Sequence, residues 1–94
     1  MTFRHIVLFR LRDGVSDTEI EGAQKTLRSL GDSPLVLHWR IARSLDERKG
    51  TILIEDATFL DTESFHRFQD SAAHRAAGEA MARIADWWIG DYVA

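Results

Sequence analysis

The nine residues FRHIVLFRL near the N-terminus alternate strictly, with Phe3, His5, Val7, Phe9 and Leu11 on one side and Arg4, Ile6, Leu8 and Arg10 on the other. This is a strand with apolar residues on both faces, so each face needs cover. Asp13-Gly14 turns the chain, and Ser16 with Glu19 has the spacing of a capping box. A helix follows, with Ile20, Ala23, Leu27 and Leu30 forming a single apolar stripe and Gly31 placed for a left-handed C-terminal stop.

Beyond Pro34, LVLHWRIA (Leu35 to Ala42) reads as a second strand, with Leu35, Leu37, Trp39 and Ile41 on one side and His38 and Arg40 on the other. Arg43 to Gly50 is a polar loop, and Thr51 to Phe59 is a third, β-branched strand paired with the second as a hairpin. Asp61 caps a short helix bearing Phe65 and Phe68, and Ser71 caps another carrying Ala73, Ala77, Ala80, Met81 and Ile84, weakened by Gly78. Trp87 to Val93 closes the chain as an aromatic strand.

The order strand, helix, strand, strand, helix pair, strand makes two split βαβ halves, which right-handed crossovers fold into an α+β, ferredoxin-like sandwich. With 94 residues the chain is one domain, 1–94, and its helices cover one sheet face only. Ile6, Leu8, Ile52, Ile54 and Trp88 fall on the other. Burying roughly 800 Å² of it per chain yields on the order of 20 kcal/mol gross, above estimated association costs, so a sheet-to-sheet homodimer is expected.

Composition narrows the chemistry. Without cysteine there are no disulfides, thiolate metal sites or Cys nucleophiles, and His, Asp and Glu are the remaining ligand types. A formal charge of −3 and no basic tract beyond Arg48-Lys49 argue against nucleic acid. The apolar run Ile6 to Phe9 is too short for a leader or a membrane segment, so a cytoplasmic location without membrane contact is expected. No phosphate loop, nucleophile elbow, dinucleotide fingerprint or H-E-x-x-H run occurs, and the eight-residue gap between His66 and His74 is no recognised ligand spacing. No metal or other cofactor is expected.

His5 is the first polar oddity, a histidine on the apolar face between Phe3 and Val7. It is either a core imidazole held by hydrogen bonds or a pocket residue suited to acid or base work. His74, in the first turn after Ser71, reads as an exposed histidine or as a base whose pKa the helix dipole lowers. Phe65, Phe68, Trp87, Trp88 and Tyr92 fill the core by default, and Arg40, Arg43, Glu55 and Asp56 are solvated rim charges, Arg40 being placed to pair with Asp56 or Glu55.

RHIVLFRLRDGVSDTEIE, the segment around SAAHRAAGEAM and the closing DWWIGDYV together resemble the stress-responsive α/β-barrel (Dabb) family over essentially the whole chain. The resemblance implies ferredoxin-like subunits paired through their sheets into a dimeric α+β barrel. The family includes uncharacterised stress-associated proteins and the plant olivetolic acid cyclase, which closes a polyketide ring without a cofactor. Its two pocket histidines fall on His5 and His74 here, and its apolar lining on Val7, Leu27, Phe68, Trp87 and Ile89. Leu27 and Phe68 stand where the cyclase has tyrosines, and Ser71-Ala72 replaces the His-Pro of a His-Pro-Ala-His run.

The resemblance therefore implies a cofactor-free cyclase, isomerase or decarboxylase acting on an aromatic or polyketide-like molecule, with His74 taking a proton and His5 supplying one. The alternative is a non-catalytic stress-response or ligand-binding dimer holding a small apolar or aromatic ligand. A third reading borrows from monooxygenase-like dimeric α+β barrels. An enzyme of the first kind needs a cavity of roughly 300 Å³ or more joining the two histidines.

Overall fold

A computed structural model describes all residues, Met1–Ala94. The elements are β1 (Phe3–Leu11), α1 (Asp17–Ser29) running into a 3₁₀ turn (Leu30–Asp32), β2 (Val36–Arg43), β3 (Ile52–Phe59), α2 (Thr62–Gln69), α3 (Ala72–Ala82) and β4 (Ala85–Val93). The four strands form one antiparallel sheet in the order β2-β3-β1-β4, the ferredoxin-like arrangement.

Local signals account for the boundaries. The Ser16 hydroxyl accepts from the Glu19 N–H while the Glu19 carboxylate accepts from the Ser16 N–H, closing the capping box. Gly14 takes a φ of +87°, which ends β1 in a turn that a side chain would strain. Asp61 and Ser71 cap α2 and α3 through bonds to Ser64 and His74 N–H.

Three local expectations are corrected. Gly31 is no left-handed stop, because α1 tightens into the 3₁₀ turn and its cap residue, Leu30, is right-handed. The glycine is needed instead because a Cβ there would lie 2.5 Å from Trp39 Cδ1, and Trp39 Nε1 donates to the Leu27 carbonyl at 3.0 Å. A bulge between Val36 and His38 breaks the alternation of β2 and leaves Leu37 58% exposed, off the apolar side. Strand β4 begins two residues earlier than read, at Ala85, which pairs with Leu11.

The core lies between the sheet and the helices. Phe3, Val7, Phe9, Leu53, Ala57 and Phe59 from the sheet meet Ile20, Leu27, Phe65, Phe68, Ala77 and Met81 from the helices. Phe65 stacks on Phe3 with ring centres 4.4 Å apart, and Phe59 lies 5.0 Å from Phe68. No helix covers the opposite face, where Leu8, Trp88 and Tyr92 are exposed and Arg4 pairs with Asp56. That ion pair replaces the expected one between Arg40 and Asp56, although those two residues are cross-strand neighbours.

Candidate functional site

Alternation along β1 carries His5 onto the helix-side face, where it is buried. The same alternation in β3 puts Glu55 on that face between Leu53 and Ala57, and it too is buried. Glu55 is thus not the solvated rim residue its charge implied. Antiparallel pairing then sets Asp91 of β4 directly opposite His5. His5 Nδ1 lies 2.6 Å from Asp91 Oδ1, and His5 Nε2 lies 3.2 Å from Glu55 Oε2. The imidazole and the Glu55 side chain are each 4% exposed, whereas the Asp91 side chain is 30% exposed and reaches solvent.

One imidazole held between two carboxylates favours its protonated form. Burial pushes the His5 pKa down, but the bonds to Glu55 and Asp91 and their negative charges outweigh it, so the pKa rises above the ordinary 6.5. His74 responds in the opposite sense. Burial drives its pKa below 6.5, Glu55 partly offsets this, and the charge of His5 reinforces it. His74 sits on the first turn of α3, held by its N–H bond to Ser71 Oγ at 3.2 Å, with its ring edge against Phe68 at 5.3 Å.

His5, Glu55 and His74 line one cavity of about 70 Å³ between the sheet, α1 and α3. Its apolar wall includes Val7, Leu27, Met81, Trp87 and Ile89, with Gly78 opening space on the α3 side. Four of the five apolar residues singled out from the sequence thus reach the cavity. Phe68 does not: it is buried behind His74, packed on Phe59 and Trp39. Of the other aromatics, Phe65 is core, Trp87 forms the cavity wall, and Trp88 and Tyr92 stand on the uncovered face. The void is several times the ~10–15 Å³ that a water needs, yet well short of roughly 300 Å³.

Chemically, the arrangement offers a half-buried neutral imidazole, His74, that can accept a proton, beside a buried imidazolium, His5, paired on both ring nitrogens with carboxylates. Sequence reasoning missed Glu55 and Asp91. The first was legible in the alternation of TILIEDATF; the second depends on a strand register that no local pattern specifies.

Residues 3–94 match the family model of the stress responsive A/B barrel domain, and the chain belongs to that family. An uncharacterized protein of Streptomyces coelicolor is 29% identical over 93 residues, spanning 95% of this chain and 96% of the relative. A dimeric ferredoxin-like protein of unknown function from Thermobifida fusca superposes with a TM-score of 0.88 at 25% identity, covering 100% of this chain and 92% of that one. The hydroxynitrile lyase of Passiflora edulis gives 0.87 at 19%, with coverage of 99% and 93%. SnoaB, a cofactor-independent oxygenase from Streptomyces nogalater, gives 0.78 at 16%, with coverage of 99% and 92%.

Proposed function

We propose that this chain is a homodimeric, cofactor-free acid/base catalyst acting on a small molecule held between His5 and His74. The observation that carries this reading is one cavity lined by two imidazoles with opposite proton preferences. His74, kept neutral by burial, takes a proton from an activated carbon or hydroxyl, and the electron pair left behind moves onto a substrate oxygen. Both ring nitrogens of His5 are taken by Glu55 and Asp91, so the developing anion is countered by the imidazolium forming on His74, and the proton returns from His74 when product forms. Such a pair contributes roughly 10²- to 10⁴-fold per positioned group, enough for already acidic positions. Lyase and cofactor-independent oxygenase activities on the same fold are consistent with chemistry of this kind. A void of about 70 Å³ falls short of the roughly 300 Å³ that a catalyst for an aromatic or polyketide-like molecule needs, so that expectation is set aside and the proposed substrate is small.

The dimer forms through the sheet face that no helix covers, where Leu8 and Trp88 are cross-strand neighbours. A dimeric relative with the same fold supports association, and the exposed aromatics on this face support its location.

The test is a panel of small ketones and short 2-hydroxynitriles. NMR follows α-proton exchange of the ketones in D₂O and cleavage of the nitriles. The protein should accelerate at least one member above buffer, and His74→Ala should abolish the acceleration without changing the fold or the dimer. A pocket that binds panel members with no acceleration would instead identify a ligand-binding dimer.

A further inference from the structure

Glu55 has a place in the site that acid/base work by two histidines does not require. It is the one carboxylate on the cavity wall, in a chamber whose lining contains no Lys or Arg. Its partner is His5 Nε2 at 3.2 Å, and His5 is shared with Asp91 on its other nitrogen. With all three ionised, the Glu55, His5 and Asp91 group carries one net negative charge, and the single positive charge is already engaged from both sides.

A carboxylate accepts hydrogen bonds at about four lone-pair sites and donates none. His5 occupies one, which leaves acceptor capacity on the cavity wall. We infer that Glu55 selects the ligand, admitting a small molecule whose apolar body carries a hydroxyl or ammonium donor and rejecting one that carries a carboxylate. A donor on the ligand completes the hydrogen bonding of Glu55. A second carboxylate a few ångströms away, with no Lys or Arg on the wall to offset it, is repelled. The apolar body then lies against Leu27, Met81 and Trp87. This assignment rests on the proposed site and names the class of molecule that enters it.

Isobutanol, isobutylammonium and isobutyrate present three head groups on one four-carbon skeleton. Their binding at neutral pH is read from NMR shifts of the Trp87 indole and the His74 ring, independently of turnover. The alcohol and the ammonium should bind about tenfold or more tightly than the carboxylate. Glu55→Gln, whose amide also donates, should bring the carboxylate to within about threefold of the alcohol. Equal or tighter binding of isobutyrate to the unaltered protein overturns the inference, as does an unchanged ranking in Glu55→Gln. If that variant does not fold, the ranking in the unaltered protein decides alone. Donor preference without any catalysis on the substrate panel would uphold this inference while removing the enzymatic reading, and the reverse result would do the opposite.

Discussion

His5 and Asp91 are cross-strand partners 86 positions apart in the chain, and their side chains meet at 2.6 Å from Nδ1 to Oδ1. The pairing of β1 with β4 therefore carries the hydrogen bond that orients the buried imidazole. Asp91→Asn preserves shape and removes the charge, and it should cost about 1.5–3 kcal/mol in urea denaturation, the range for hydrogen bonds to charged groups. His5→Ala should cost more, about 3–5 kcal/mol, because it leaves Glu55 buried without its partner. Losses no larger than those of surface substitutions would mean the network has no structural weight.

The two histidines give stability opposite pH dependences. The folded pKa of His5 lies above its unfolded value of 6.5, so its contribution is complete below pH 6.5 and fades as pH rises through the folded value. The folded pKa of His74 lies below 6.5, so its contribution is present above pH 6.5 and fades as pH falls through the folded value. In unfolding free energies measured from pH 5 to 8, His74→Gln should flatten the acid side. Asp91→Asn, which weakens the hold on the His5 proton, should flatten the alkaline side. The opposite assignment of limbs would contradict the electrostatic account.

Gly78 lies within α3 and lines the cavity, and a Cβ added there meets nothing within 4 Å. Replacing a mid-helix glycine with alanine relieves backbone entropy, so Gly78→Ala should stabilise the protein by up to about 1 kcal/mol. The same methyl group takes up cavity space and should weaken binding of the isobutyl ligands. A thermal melt and an NMR titration on one sample check both. Greater stability with undiminished binding would show that the ligands bind elsewhere.

Leu8 and Trp88 face away from the helices at the middle of the uncovered sheet face. Leu8→Glu should leave the far-UV spectrum intact and convert a dimer at micromolar concentration to a monomer in sedimentation. A dimer that survives this change must use another surface.

Much of the fold was written locally. Alternation located β1 and β3, the Ser16-Glu19 box started α1, and Asp61 and Ser71 started the other helices. His5 stood out because a titratable ring interrupts an apolar face. What local pattern could not reveal was non-local: the register that puts Asp91 against His5, the bulge that turns Leu37 outward, and the Trp39 contact that requires Gly31. Glu55 is a different case. Charged residues are ordinarily solvated, yet the alternation that buries Leu53 and Ala57 buries Glu55 with them. The cavity volume depends on how Leu27, Leu30 and Met81 pack, which spacing does not encode.

Everything functional here depends on the two imidazoles holding protons differently inside one chamber. NMR titration of the labelled histidine rings in the folded protein measures this directly. His5 should titrate above 6.5 and His74 below it, and His74 should move up when His5 is replaced. Two rings titrating together at the ordinary value, with no response of His74 to removal of His5, would contradict the account.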